Sequence, residues 1–517
     1  MPIVFERDES ALHPPASSSP AVSPTDSWAL ELGATWPRWL PLAALLFVIM
    51  GATAPLADID MPMHLATGEW ILRHHEVPFV EPFAWTRAGA PFYAYSWLPE
   101  VIYQLLYTHT GPLGLRLFHG LMLLVSGASL FWLARTVGWR AWTTVQLAFF
   151  LLFTESLVFP YLRPQEIVFA AAIAAWACGL KALDAERPAV WIALLVVISA
   201  VAANSHLLFA LTALPIAIAI ARTPFRWQRT ALVAAAILAG WVATPYGLHY
   251  GAILRLNFGH NLLVDFPSPI GEFAPGFLSA AKWMPIALVV IVLAIVPGIG
   301  FAYSRTTWQR VVFSSMWLIG LFGFALATRA LMIWWLASLP AMALALEKVR
   351  APRPPVRRVM LVTMACFPVL LSIRSLELTH TLGAGVSSPV RRSVEPLALW
   401  LDQHVRAERR PRMLTVFDFG TYLTWRLPAY SMSIDGRGIF PDSAASPDAY
   451  RLLGDEHAAT GPWRSAELAI LPFSYPAAAA LDTAAGWVRI DSVPPTHEVP
   501  YATGLWARRS LLDAYAH

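Results

Sequence analysis

The feature that most limits the fold of this chain is a series of apolar runs, each long enough to cross a lipid bilayer. A spanning helix needs roughly 17–25 predominantly apolar residues. Such runs lie at approximately 39–57, 113–134, 141–160, 166–183, 189–203, 207–221, 230–246, 283–303, 311–327, 330–347 and 357–373. Only 14% of the residues are charged, well below the usage of soluble domains. The sequence therefore predicts an all-α polytopic membrane bundle of about eleven transmembrane helices.

The N-terminal segment, residues 1–38, is rich in Pro, Ser and Ala and carries mixed charges. This composition predicts a disordered tail. The segment lacks the pattern of a secretory signal, namely a basic stretch, a short apolar core and a small-residue cleavage site. The first apolar run is therefore predicted to be a retained helix.

The distribution of Arg and Lys orients the bundle. With the N-terminus in the cytoplasm, the connections on that side, such as 135–140 and 348–358, hold more basic residues than the outer connections, as the positive-inside rule requires. The segment 98–110 is too short and polar to span and is predicted to be an amphipathic surface helix. This layout predicts a bacterial inner-membrane protein with long outer loops at 58–112 and 247–282, and a transmembrane domain over 39–373.

The C-terminal segment, 374–517, has ordinary charge density and short alternating apolar runs. The sequences MLTVFDF, YSMSIDG, ELAILPF, GWVRIDS and GLWARRS are typical of strands, and PLALWLDQHV, GTYLTWRL, DAYRLLG and AAALDTAAG of helices. Strands that alternate with helices predict a small α/β domain, which the layout places outside the cytoplasm.

The first outer loop begins with an acidic cluster, Asp58, Asp60 and His64, directly after a membrane span. Residues two apart do not share a helix face, so the two carboxylates converge only where the backbone is irregular. One carboxylate could act as a general base on an acceptor hydroxyl, or the pair could hold a divalent cation, Mg²⁺ or Mn²⁺. In the alternative interpretation, Asp60 caps the following helix and His64 is an interface residue.

The loop also carries a longer motif. An acidic pair precedes His64, Gly68 and Trp70-Ile71-Leu72, and then follow Pro78, Glu81-Pro82-Phe83, Gly89, Pro91 and Trp97-Leu98-Pro99-Glu100. This pattern resembles the first outer loop of bacterial GT-C-type glycosyltransferases, relatives of the protein-mannosyl and lipid A sugar transferases. The resemblance is strong over roughly residues 56–105 and matches the C-terminal domain only in outline.

The resemblance implies an activity and a site. It implies transfer of a sugar from a polyprenyl-phosphate donor to a hydroxyl of a glycan, lipid or protein, with inversion at the anomeric carbon. Asp58 is then the base or metal ligand, Asp60 is the other candidate, and His64, Glu81 and Glu100 are further candidates. Ser96 and Glu81 stand where the family commonly has His and Asp.

Basic side chains at the outer ends of the spans are candidate phosphate ligands. Arg163 follows the third span, Arg329 precedes the tenth, and His206 lies between the fifth and sixth. The guanidinium fork of Arg matches phosphate oxygens, which favours Arg163 and Arg329, with His206 behind them. In the alternative interpretation they extend to the headgroups or pair with Glu155 and Glu166.

Other functions are disfavoured or remain open. Glu272 in the second outer loop is a further candidate, although a solvated loop acid also explains it. The chain has no basic stripe, so no nucleic-acid partner is expected, and it has no phosphate-binding loop or zinc spacing. A transporter or flippase of a lipid-linked solute and a non-catalytic scaffold for envelope assembly remain alternatives. A transporter would be expected to show repeats with broken helices at the membrane midplane, and neither is visible in the sequence.

Overall fold

The computed structural model describes residues 45–158, 161–222, 225–258, 276–349, 352–382, 385–386, 388–405, 410–435, 465–495 and 501–515. The first seven helices are α1 (45–53), α2 (Met61–His74), α3 (Trp97–Thr110), α4 (Pro112–Val137), α5 (Ala141–Val158), α6 (Gln165–Asp184) and α7 (Ala189–Ala203). They continue with α8 (Leu214–Ile220), α9 (Trp227–Val242), α10 (Tyr250–Phe258), α11 (Gly276–Lys282), α12 (Met284–Ala302), α13 (Thr307–Leu326), α14 (Leu331–Lys348) and α15 (Pro354–Leu382).

Every predicted apolar run coincides with helix in the part of the chain that the structure describes. By length and composition, six helices can cross a membrane, or seven if α9 and the bent segment Gly247–Ile253 form one span. The region of the fifth and sixth runs is broken into the 15-residue α7, the 3₁₀ segment Leu207–Ala213 and α8. The described part of the chain is therefore mostly helical with six to seven candidate spans, and the count of eleven stays a prediction.

The centre of the bundle is α6, which is surrounded by α4, α7 and α8. Within α6, 83% of the spanning window is buried, against 6% for α15. A helix that is apolar on all sides is stable in both positions, because lipid covers the faces that protein does not. The fully buried Trp334 and Trp335 of α14 fill the second half of the core.

The segment predicted as a surface helix is helical, as α3, and packs along α2; its position at the membrane surface stays a prediction. The close approach of these two helices requires glycine at position 68. A Cβ at this position would lie 2.1 Å from the Glu100 carbonyl oxygen. The two helices of the first loop therefore form one unit.

The C-terminal domain contains a five-stranded sheet in the order β2-β1-β3-β5-β4. Its strands and helices are α16 (Ser388–His404), β1 (Arg412–Thr415), α17 (Phe417–Arg426), β2 (Ser431–Met432), β3 (Leu468–Pro472), α18 (Pro476–Thr483), β4 (Trp487–Val493), β5 (Thr503–Arg508) and α19 (Arg509–Tyr515). β1 pairs in parallel with β2 and β3, whereas β5 is antiparallel to β3 and β4.

The predicted α/β pattern is confirmed at all five strands, but the extent differs at three of them. β2 comprises only Ser431–Met432, and the strand predicted over GLWARRS ends at Arg508, because Arg509 begins α19. The strand predicted over MLTVFDF ends at Thr415, and Phe417 already begins α17. Burial decides this, because Phe419, Tyr422 and Leu423 occur at helical spacing and pack into the domain core. The predicted helix DAYRLLG, 448–454, lies outside the described residues.

The first loop and the C-terminal domain lie on the same side of the bundle. Ala84 pairs in parallel with Met432 at the edge of the sheet. The Thr86 hydroxyl donates a hydrogen bond to the Ser433 carbonyl at 2.5 Å, and the Ser431 hydroxyl donates to the Phe83 carbonyl at 2.8 Å. The loop thus supplies an extra bridge to the sheet, and the two segments pack against each other.

Candidate functional site

The carboxylate of Asp58 is the centre of a buried ion pair. It lies in the irregular segment between α1 and α2 and is 2% exposed. The Arg163 guanidinium donates two hydrogen bonds to this carboxylate, from Nε to Oδ2 at 3.0 Å and from Nη2 to Oδ1 at 3.0 Å. The backbone N–H of Asp60 donates to Oδ1 at 3.3 Å. Paired, charge-assisted bonds of this kind fix both distance and orientation.

Asp60 stands at the N-cap position of α2, but its carboxylate does not accept a bond from the helix backbone. Instead, Oδ2 lies 3.7 Å from Nη2 of Arg163. The two carboxylates therefore converge on one guanidinium, as the irregular backbone was expected to allow. The alternative interpretation, in which the Asp60 side chain caps the helix, does not hold.

Glu166 and His119 support the position of Arg163. Its backbone N–H donates to Glu166 Oε1 at 3.1 Å, and Glu166 Oε2 lies 2.9 Å from Nδ1 of His119. His119 and Glu166 are both buried. Sequence analysis missed His119, although an ionisable residue inside an apolar run is itself a signal of function.

His64 forms the next contact outward. Its Nδ1 lies 3.1 Å from Oε1 of Glu100 on α3. Burial works against the charged imidazole, but the Glu100 hydrogen bond and the negative charges of Glu100, Asp60 and Asp58 outweigh it and raise the pKa of His64. The protonated ring and the acidic corner therefore stabilise each other.

His206 has the opposite electrostatic environment. Burial, together with the positive charges of Arg329, His64 and Arg163, lowers its pKa to about 3. Its Nδ1 accepts a hydrogen bond from the Leu208 backbone N–H at 3.2 Å, so the ring is neutral and Nε2 carries the proton. His206 can donate a hydrogen bond to a phosphate but brings no charge to it.

Tyr95 joins these groups and was also missed by sequence analysis. Its ring meets that of His206 edge-on, with centroids 5.8 Å apart. Burial raises the pKa of Tyr95 to about 12, with Arg329 opposing and Glu100 and Asp60 reinforcing the shift. The phenol therefore stays protonated and can donate a hydrogen bond.

Two side chains fix the first loop over the bundle. Asn204 accepts from Trp97 Nε1 at 2.6 Å and donates to the Ala243 carbonyl at 2.9 Å. The Tyr246 hydroxyl accepts from the Ala94 N–H at 2.8 Å and donates to the Pro78 carbonyl at 3.2 Å. These bonds hold the α7–α9 region against the loop and so keep His206 near Tyr95.

The remaining predicted candidates lie elsewhere. Glu81 Oε1 accepts from the backbone N–H groups of Phe83 and Ala84 at 2.8 and 2.9 Å, so Glu81 shapes the turn that docks on the C-terminal sheet. Glu272 lies outside the described residues. The structure thus brings together Asp58, Asp60, His64, Glu100, Arg163, His206 and Arg329.

The described residues contain no group of three or more His, Cys, Asp or Glu side chains placed to share a metal ion. Both oxygens of Asp58 already accept from Arg163. The carboxylate pair therefore does not form a closed cation site in this arrangement, and the divalent cation stays a prediction.

No protein-family model matches this chain, and no curated protein matches it in sequence. Solved structures do match its fold. The arabinofuranosyltransferase AftD from Mycobacteria is 16% identical with a TM-score of 0.58, and the match covers 91% of this chain and 40% of AftD. The chain thus spans less than half of that protein.

Two further structures are similar. The apo oligosaccharyltransferase of Archaeoglobus fulgidus is 11% identical with a TM-score of 0.62, over 86% of this chain and 69% of the other. ArnT from Cupriavidus metallidurans, bound to undecaprenyl phosphate, is 14% identical with a TM-score of 0.56, over 94% and 99%. The resemblance first visible in the outer loop is confirmed at the level of fold, and this chain has the fold of the GT-C glycosyltransferases.

Proposed function

We propose that this chain is a membrane glycosyltransferase that moves a sugar from a polyprenyl-phosphate donor to a hydroxyl of an envelope glycan, lipid or protein. The observation that carries the proposal is the Asp58–Arg163 pair at the mouth of the bundle, with Arg329 and His206 in the same electrostatic neighbourhood. It combines a carboxylate for proton transfer with cationic groups for a lipid phosphate. The similarity to ArnT bound to undecaprenyl phosphate supports the same donor class.

The ion pair suggests an order of events. While both oxygens of Asp58 accept from Arg163, the carboxylate is held in the ion pair and is not directed at an acceptor hydroxyl. A donor phosphate offers the guanidinium fork a competing anion with more oxygens. Binding of the donor therefore turns Arg163 toward the phosphate and frees Asp58, so that the base becomes available only when the donor is in place.

The chemical step then balances simply. The acceptor oxygen forms a bond to the anomeric carbon while its proton passes to Asp58. The bond between that carbon and the phosphate oxygen breaks, and the phosphate leaves with the electron pair. Arg163 and Arg329 stabilise the developing charge, and His206 and Tyr95 contribute neutral hydrogen bonds. A single displacement of this kind inverts the anomeric centre.

The proposal includes the full membrane topology. It has eleven spans, with the N-terminus in the cytoplasm of a bacterium and with the first loop and the C-terminal domain outside the inner membrane, the orientation that the distribution of basic residues favours. The contacts between Ala84 and Met432 support a common side for these two segments. A divalent cation at Asp60 remains part of the proposal, and a chelator added to the transfer assay tests it.

The direct test is sugar transfer by the Asp58→Asn variant in reconstituted vesicles. We expect a loss of about 10²–10⁴-fold, the usual contribution of a general base, with donor binding retained. The matched control is Asp184→Asn, which removes an exposed carboxylate at the far end of α6. Unchanged transfer by Asp58→Asn would support the scaffold alternative instead, and lipid translocation without transfer would support a flippase.

A further inference from the structure

A small pocket lies directly behind the ion pair, inside the bundle. His119, Glu155, Arg163, Gln165 and Glu166 line it, together with Leu123 and Phe169, and its volume is about 10 Å³. That is room for about one water molecule. This cavity, the Glu155 pocket, shares Arg163 with the proposed catalytic site.

Glu155 is the one carboxyl group of this pocket that no partner satisfies. The residue is 3% exposed, and neither Oε1 nor Oε2 has a hydrogen-bond partner in the described part of the chain. The Ser126 hydroxyl of α4 faces the same carboxyl without meeting hydrogen-bond geometry. Gln165 Oε1 is likewise buried without a partner, so a water bridging both residues would satisfy otherwise orphaned atoms.

The charges around Glu155 are already matched to other groups. Arg163 is bound to Asp58 by two hydrogen bonds, and His119 lies against Glu166 at 2.9 Å. An ionised Glu155 would be an additional anion at membrane depth beside the carboxylate of Glu166. An unpaired buried carboxylate is far less stable than the neutral acid.

Within the described residues, the other elements packed on α5 supply no counter-ion. α12 has no ionisable side chain, and Glu347 and Lys348 of α14 lie at the opposite end of the bundle. On α15, which meets α5 through Phe367, Arg374 is exposed and pairs with Glu377 at 2.9 Å. In the part of the chain that the structure describes, the charged or titratable groups that line the pocket beside Glu155 are therefore His119, Arg163 and Glu166.

We propose that Glu155 is a buried proton-holding site whose neutral state reserves Arg163 for Asp58 and for the donor phosphate. An ionised Glu155 would be a second anion bordering the same cavity as the guanidinium, and would compete with the phosphate for it. This role rests on the proposed function, whereas the presence of the proton does not. Glu155 is thus a positioning residue that acts through Arg163.

The proton is tested by infrared spectroscopy of the full-length protein in vesicles. We expect a carbonyl band of a protonated carboxyl at neutral pH that disappears in Glu155→Gln. The matched control is Glu377→Gln, which changes an exposed glutamate on α15 and should leave the band intact. A spectrum without this band, or a band that persists in Glu155→Gln, would overturn the proposal. Because Gln reproduces the neutral acid, failure of this variant to fold would also contradict it.

The second arm measures binding of undecaprenyl phosphate as pH rises. Wild-type affinity should fall about tenfold on the alkaline side, within the usual range of coupling between linked sites, and Glu155→Gln should bind with a flat profile. Parallel profiles would contradict the reserved role of Arg163. If the infrared band is present but the wild-type protein transfers no sugar, the proton site stands and the proposed function fails.

Discussion

The two ends of α5 and α6 carry ion pairs of the same chemical type in very different surroundings. At the end facing the first loop, the exposed side-chain fractions are 12% and 2% for Arg163 and Asp58, and 5% for both His119 and Glu166. At the other end they are 39% and 57% for Arg222 and Asp184, and 39% and 26% for Arg140 and Glu347. Since α6 has 20 residues, it separates these ends by about 30 Å, the thickness of a bilayer core.

The difference in burial distinguishes the candidate site near the first loop from the exposed surface at the other end of α5 and α6. Exposed pairs contribute little, at most about 1 kcal/mol each. Buried pairs are unfavourable to assemble, because desolvation can exceed the Coulombic gain. A bundle that needed only stability would place apolar residues near Asp58, so we infer that the buried pairs are present for chemistry.

The largest effect should come from breaking the Asp58–Arg163 pair. Arg163→Gln leaves a buried carboxylate without its partner, which costs about 3–5 kcal/mol in comparable cases. The double variant Asp58→Asn, Arg163→Gln should recover most of that stability while transfer stays abolished. Thermal unfolding of the wild type, Asp58→Asn, Arg163→Gln and the double variant in detergent measures this coupling, and additive losses would show that the pair is not a unit.

A smaller effect is expected at the support behind Arg163. Glu166→Gln keeps an acceptor for the Arg163 backbone N–H but removes the charge beside His119. We expect about tenfold lower kcat/KM, mainly through the KM for the donor, because the guanidinium is less well placed. A change in unfolding temperature with unaltered donor KM would assign Glu166 a purely structural role.

The pH dependence of stability distinguishes the two histidines. The pKa of His64 is raised, so its stabilising contribution is present at low pH and is lost as pH rises through that pKa. The pKa of His206 is lowered from 6.5 to about 3, so the unfolded chain binds a proton first and stability falls as pH drops below 6.5. We therefore expect the unfolding temperature of His64→Gln to depend less on pH than that of the wild type as pH rises, and that of His206→Gln to depend less on pH as pH falls. A change on the same side for both variants would contradict the assignment.

The smallest effect belongs to the opposite end of the bundle. Arg222→Gln breaks an exposed pair and should change stability by less than about 1 kcal/mol and transfer not at all. Unfolding and transfer measured together check this. A large loss of transfer would remove the contrast between the two ends.

Much of this architecture could be predicted because apolar length and periodicity are local properties. These properties predicted the helices α4, α6 and α12. They also predicted the strand segments of the C-terminal sheet. Asp58 and Arg163 were separately identifiable as polar residues at the ends of spans. The error at Phe417 arose because an alternating pattern continues past Thr415 while tertiary burial favours a helix.

The partners within the site were not predictable. Asp58 and Arg163 are 105 residues apart in sequence, and His119 and Glu166 are 47 apart. Helix periodicity predicts where each span ends but not which ends become neighbours. The neutral state of His206 depends on the same assembly, since burial first, and then the charges of Arg329 and Arg163 from distant parts of the chain, lower its pKa.

The central claim is that Arg163 receives the phosphate of a lipid-linked donor. Equilibrium binding of undecaprenyl phosphate to the wild type, Arg163→Gln and Arg222→Gln tests it without knowledge of the sugar or the acceptor. The account predicts weaker binding for Arg163→Gln alone, with Arg222→Gln equal to the wild type. Equal affinities for all three folded proteins would contradict it.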